Sequence, residues 1–177
     1  MNYNYVAPAI RKDGTQVVLK IGFPKDREFQ TEIDALSVFN GDGITKLFET
    51  DQKQAAILIE KIIPGMPLST IENDEEATRI LASVIKKLRK PLPPNHKFIT
   101  VREWMKELKE YMKKYHGKGP LPWNLIEKAN KTFEELLSSS KYEVLLHGDL
   151  HHDNVLSSNR DKWLAIDPKG IAAESEY

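Results

Sequence analysis

His147-Gly148-Asp149-Leu150-His151-His152-Asp153-Asn154 leaves the apolar run Val144-Leu145-Leu146 and enters a second apolar pair, Val155-Leu156. Six side chains able to bind protons or metals thus fall within eight residues, between two stretches that read as strands. An ordinary polar turn draws on Gly, Ser and Pro rather than on three His and two Asp. Burying such groups unpaired is costly, so the stretch reads as a chemical site. Eighteen residues after Asp149, the apolar Ala165-Ile166 ends in Asp167-Pro168. Two strand-end carboxylates at this separation are what a short hairpin brings together around a divalent cation.

Phosphoryl transfer from a nucleotide explains the residue types. A phosphate chain is polyanionic, so Mg²⁺ bridges its oxygens and prefers hard oxygen ligands. Kinases take those ligands from an Asn and a later Asp, with another Asp five residues before the Asn to orient the attacking hydroxyl. Asp149 precedes Asn154 by five, and Asp167 supplies the later carboxylate. Upstream, Val17-Val18-Leu19-Lys20 is a strand ending in Lys, comparable to the Val-Ala-Ile-Lys signature whose ammonium pairs with nucleotide phosphates. Glu32, twelve residues on, sits in the first predicted helix and can pair with that Lys. Each piece alone is a weak signal; the ordered set Lys20, Glu32, Asp149, Asn154, Asp167 is specific.

The rest of the chain supplies the frame. Tyr3 to Ile10 and Gln16 to Gly22 read as strands around the turn Lys12-Asp13-Gly14. Asp26 caps a helix from about Arg27 to Val38, with Phe29, Ile33 and Leu36 on one face. Ile44 to Glu49 and Ala55 to Glu60 read as a second hairpin, and the unbroken apolar run Ala55 to Ile59 predicts a strand buried on both faces. Pro64-Gly65-Met66-Pro67 breaks the pattern and marks the expected boundary between lobes 1–63 and 64–177. Beyond it, Asn73 or Asp74 caps a helix carrying Ala77, Ile80, Leu81, Val84, Ile85 and Leu88 on one stripe. Thr100 and Glu103 form a capping box before the helix bearing Trp104, Tyr111 and Tyr115, and Trp123 to Leu137 forms a third helix with Phe133. These aromatics fall at helical spacing and are expected in the core rather than stacked on bases. Tyr142 to Leu146, Val155 to Ser157 and Lys162 to Ile166 close the chain as short strands.

Composition limits the function classes. The 177 residues include 26 basic and 26 acidic side chains, so the zero net charge argues against a nucleic-acid binder. Cysteine is absent, which excludes disulfides and thiolate zinc sites and points to a reducing, cytoplasmic compartment. No secretory signal opens the chain, and no apolar run approaches the ~20 residues that span a bilayer. The residues carry no signal for oligomeric state.

His147-Gly-Asp-Leu-His-His-Asp-Asn154 together with Ile166-Asp-Pro-Lys-Gly170 resembles the aminoglycoside phosphotransferase family, in particular its streptomycin 6-kinase and hydroxyurea-kinase-like branch. Ile57-Leu-Ile-Glu-Lys-Ile-Ile-Pro-Gly65 is similar to that branch's inter-lobe linker, and Glu32-Ile-Asp-Ala-Leu36 to its first-helix motif. The resemblance implies an α+β, two-lobed protein-kinase-like fold. An antiparallel-sheet N-lobe with one helix would join a mainly helical C-lobe, with the linker at about 59–63. It implies ATP, or in some members GTP, with Mg²⁺ between the lobes and a small-molecule hydroxyl as acceptor. On this reading Asp149 orients the hydroxyl proton, Asn154 and Asp167 hold Mg²⁺, Lys20 meets the phosphates and Glu32 holds Lys20. The Glu60 carbonyl and Ile62 amide bond the adenine, Leu58 lies beside it, and His147 braces its loop. The chain starts at what reads as the family's second strand and ends soon after the Asp-Pro turn, so the expectation is of truncation at both ends.

Three rival readings remain. A metal-dependent hydrolase would use His147, Asp149, His151, His152 and Asp153 as ligands, but leaves Lys20, Asn154 and the Asp-Pro-Lys-Gly turn unexplained. A nucleotide-binding module without catalysis is the second. The third is a kinase of another small alcohol. His96 and His116 sit in Pro- and Gly-rich loops and read as surface histidines.

Overall fold

The computed structural model describes residues 4–139 and 142–174, so Tyr3, where the first strand was expected to begin, lies outside the described residues. The first sheet is antiparallel throughout. β1 (Tyr5–Ile10) and β2 (Gln16–Ile21) form the expected hairpin, and α1 (Arg27–Phe39) follows with the Asp26 carboxylate accepting from the Glu28 amide. β3 (Leu47–Asp51) and β4 (Ala56–Glu60) complete the order β1-β2-β4-β3. The expected strand from Ile44 starts later, at Leu47, because the residues before it pair elsewhere. Thr45 N donates to the Ala165 carbonyl and Ala165 N to the Gly43 carbonyl, both at 2.9 Å. β4 is buried on one face rather than two: Ile57 and Ile59 are buried, while Ala56 and Leu58 are half-buried.

Pro64–Pro67, expected as a break, forms the strand β5. It lies at the edge of its sheet with an irregular register, the position where proline's missing N–H is tolerated. α2 (Asp74–Lys87) is capped by Asn73, whose side chain accepts from Glu76 N. The two-residue strands β6 (Lys90–Pro91) and β7 (Ile99–Thr100) precede α3 (Val101–Tyr115), which opens on the predicted Thr100–Glu103 capping box. α4 (Trp123–Ser139) leads to β8 (Val144–Leu146), β9 (Val155–Ser158), β10 (Trp163–Ala165) and β11 (Ile171–Ala173). These strands build two small sheets, β10-β9-β5 and β6-β8-β11-β7, with β11 parallel to β7.

One apolar core joins both halves. Phe29, Ile33, Leu36 and Phe39 of α1 meet Ile57 and Ile59 of β4, and the same cluster includes Leu68, Val84, Leu145 and Val155. A fully buried side chain of this size contributes about 2 kcal/mol, so this cluster, not the exposed ion pairs, holds the halves together. The aromatic faces of α3 and α4 differ from expectation. Trp104, Tyr111, Tyr115, Trp123 and Phe133 are only half-buried, because the two helices pack on each other while Leu125, Phe133, Leu136 and Leu137 line an open groove. No helix among the described residues is long and apolar enough to cross a membrane.

Candidate active site

β2 carries Lys20 into the interior. Its Nζ lies 2.7 Å from Glu32 Oε1 and 3.1 Å from Asp167 Oδ1, and Lys20 and Glu32 are each 5% exposed. Glu32 reaches it because it stands on the buried side of α1, one turn from Phe29 and Leu36. Burial alone would lower the Lys20 pKa, but the charges of Glu32 and then Asp167 outweigh it and leave the ammonium above its ordinary value. Burial pushes the Glu32 carboxyl up to about 7, against the pull of Lys20.

The loop 147–154 and the turn 167–170 are stitched together by backbone bonds. The His147 carbonyl accepts from the amides of Lys169 (2.8 Å) and Gly170 (3.1 Å). Its ring Nε2 donates to the Ile166 carbonyl at 2.8 Å, and its Nδ1 accepts from the Asp149 amide at 3.3 Å. Burial lowers the His147 pKa to about 4, so the ring is neutral and serves as a brace. The Asn154 Nδ2 donates to the Asp149 carbonyl at 2.9 Å, while Ile166 N donates to the Asn154 carbonyl at 3.0 Å. Asn154 is thereby held opposite the residue that precedes Asp167. Asp167 itself adopts a left-handed backbone, φ 56°, which turns its carboxylate toward Lys20. Lys20, Glu32, Asp149, Asp167 and Lys169 line one small cleft of about 130 Å³.

The remaining expected residues are distributed differently. Cross-strand partners share a face of a sheet. Lys20 is opposite Ile57 and Val18 opposite Ile59, whereas Leu58 is opposite Leu19. Leu58 therefore stands on the face away from Lys20, and Ile59 is the β4 side chain on the Lys20 side. The Glu60 carbonyl accepts the Thr45 hydroxyl at 2.9 Å, and Ile62, two residues on, is buried. His151 accepts from the Asp153 amide, and Asp153 accepts from the Ser69 hydroxyl. Neither residue joins a metal cage, and no group of three His, Cys, Asp or Glu among the described residues is arranged to hold a metal ion.

Two residues escaped the sequence reading. Arg160, in the turn after β9, holds the Glu60 carboxylate through two bonds of 2.9 Å and the carbonyls of Gly41 and Ile44 at 2.7 Å. A polar turn rich in Ser, Asn and Lys gave no sign of it. Lys169 places its Nζ 3.4 Å from Asp149 Oδ2; its signal was present in the Asp-Pro-Lys-Gly motif but carried no role.

An antiparallel sheet with one helix, a Lys–Glu pair between them and a carboxylate-bearing loop pair beneath define a protein-kinase-like fold. The chain belongs to the aminoglycoside/hydroxyurea antibiotic resistance kinase family, whose model matches residues 4–177. It is 26% identical to streptomycin 6-kinase of Streptomyces griseus, over 97% of this chain and 56% of that protein. It is 31% identical to hydroxyurea phosphotransferase of Kitasatospora aureofaciens, over 97% of this chain and 51% of that protein. The chain thus spans about half the length of the curated relatives it matches. Among solved structures it resembles a choline/ethanolamine kinase family protein from Mesorhizobium loti, with a TM-score of 0.66 at 11% identity, covering 97% and 60% of the two chains. A ternary complex of aminoglycoside phosphotransferase APH(4)-Ia with ADP and hygromycin B aligns with a TM-score of 0.59 at 14% identity, covering 98% and 69%.

Proposed function

We propose that this chain carries the nucleotide-binding and catalytic loops of an ATP-dependent O-phosphotransferase, which transfers the γ-phosphoryl group to a hydroxyl of an aminoglycoside-like, streptomycin-type acceptor. The observation that carries the reading is Lys20 held between Glu32 and Asp167, with Asp149 lining the same cleft. Lys20 would meet the α- and β-phosphates, held in place by Glu32. The Glu60 carbonyl and Ile62 amide would meet the adenine, with Ile59 beside it. Residues 1–63 would act as the nucleotide lobe and 64–177 as the catalytic lobe, working in the cytoplasm, where ATP is made available.

The residues suit Mg²⁺. Asn154 commits its Nδ2 to a carbonyl and keeps its side-chain oxygen as a donor, and Asp167 keeps Oδ2 on a half-exposed carboxylate. Hard oxygen donors of this kind, one or two per ion, suit Mg²⁺ completed by phosphate oxygens. When bound, the ion would neutralise charge on the phosphate chain. Asp149 would orient the acceptor hydroxyl and take its proton as the new O–P bond forms and ADP leaves. Positioning and charge neutralisation supply most of the rate.

The test is calorimetric titration of MgATP, paired with phosphate transfer to streptomycin-type aminocyclitols. Asp149→Asn should retain MgATP binding and lose transfer by about 100-fold or more, whereas Asp167→Asn should lose MgATP binding itself. A wild-type chain that binds no MgATP, or variants that both bind and transfer normally, would sink the assignment. Binding without transfer in the wild type identifies the nucleotide-binding module instead.

A further inference from the structure

The loop His147–Asn154 holds two aspartates and three histidines but no lysine or arginine. An acceptor hydroxyl at Asp149 would meet an incoming terminal phosphate with no positive side chain from that loop. Lys20 does not fill the gap, since the reading above commits its ammonium, held by Glu32 and Asp167, to the α- and β-phosphates. Lys169 places its ammonium 3.4 Å from the Asp149 carboxylate.

Its position is set by the backbone. The turn begins at Asp167 with φ 56° and ends at Gly170 with φ 68°. Both the Lys169 and Gly170 amides are fixed to the His147 carbonyl. This turn sends two side chains two residues apart in different directions: the Asp167 carboxylate to Lys20, and the Lys169 ammonium to Asp149 at 3.4 Å. The result is two ion pairs around one cleft lined by all four residues. The Lys169 and Asp149 side chains are each more than two-fifths exposed. An exposed pair of this kind contributes only about 0–1 kcal/mol to stability, so folding alone gives little reason for it.

We infer that Lys169 is a catalytic residue that contacts the γ-phosphoryl group on its way to the acceptor at Asp149. The inference rests on the phosphotransferase reading above. In the reaction, the bond between the γ-phosphorus and its bridging oxygen breaks, the acceptor oxygen bonds to phosphorus, and the hydroxyl proton passes to Asp149. Negative charge on the equatorial oxygens of the group in flight is what an ammonium at this position stabilises.

The distinguishing measurement is nucleotide affinity, which needs no acceptor. Wild type and Lys169→Met are titrated with Mg²⁺ and either ADP or AMP-PNP, a triphosphate analogue that does not transfer. A charge-assisted contact to the γ-phosphate is worth enough that Lys169→Met should weaken AMP-PNP by about tenfold or more. ADP binding should stay within about twofold, and Lys169→Arg should restore much of the AMP-PNP affinity. Equal losses for both nucleotides, or no loss for either, would overturn the inference while leaving the proposed function standing. Failure of the wild type to bind either nucleotide would overturn both.

Discussion

His147 is a histidine that folding keeps uncharged. Its ring is 3% exposed, donates to the Ile166 carbonyl and accepts from the Asp149 amide, so a second proton would have nowhere to go. An unfolded histidine titrates near 6.5, whereas burial holds this one at about 4. Between those values the unfolded chain binds a proton that the folded chain refuses. The contribution of His147 is therefore complete above about pH 6.5 and is lost as pH falls toward 4, by on the order of 3 kcal/mol. Urea unfolding at pH 7.5 and 4.5 should show a smaller acid loss in His147→Gln than in wild type. Identical losses would mean that His147 is not a source of the acid sensitivity. The candidate site was readable at this scale because its chemistry lies in residue types at fixed spacing. Lys20, Glu32, Asp149 and Asp167 line one cleft, with Asn154 pinned to the Asp149 carbonyl. The face that Leu58 presents was not legible, because it is fixed by cross-strand register, and that register is not written in the strand itself.

Among the connecting elements, the turn after Asp167 is packed directly against α1. A Cβ at Gly170 would sit 2.8 Å from the Thr31 carbonyl and 3.0 Å from the Ala35 Cβ, at a φ of 68°. Gly14 has a similar φ of 87° but faces open space. Gly14→Ala should cost only the left-handed penalty of roughly 1–2 kcal/mol. Gly170→Ala must also push α1 away from the loop that holds Asp167. Thermal unfolding should therefore rank Gly170→Ala well below Gly14→Ala, and Gly170→Ala alone should weaken MgATP. A ranking in the other order would mean that α1 and the turn are not in such close contact. Helix starts were legible because Asp26, Asn73 and Thr100 cap locally. β5 was not, since its pairing with β9 joins residues some 90 positions apart and overrides the local message of two prolines.

For the molecule as a whole, Arg160 ties the end of β4 to the far side of the chain. Its guanidinium grips the Glu60 carboxylate bidentately and caps the carbonyls of Gly41 and Ile44, a set of bonds that lysine cannot reproduce. Arg160→Ala should destabilise by about 2 kcal/mol, and Glu60→Gln by less. The double variant should fall short of their sum, because the pair shares one interaction. Additive losses in urea unfolding would show that the two side chains act independently.

Gly43–Thr45 hydrogen-bonds to Ala165, so the stretch following α1 is laced to the same hairpin that presents Asn154 and Asp167. Any widening of the mouth that leaves this lacing intact must pivot about it. Because β2 is paired along its length with β4, the whole β1-β2-β4-β3 sheet would have to move as one leaf in such a pivot. Lys20 would ride on that leaf, while its partner Asp167 stands two residues from Ala165, at the pivot.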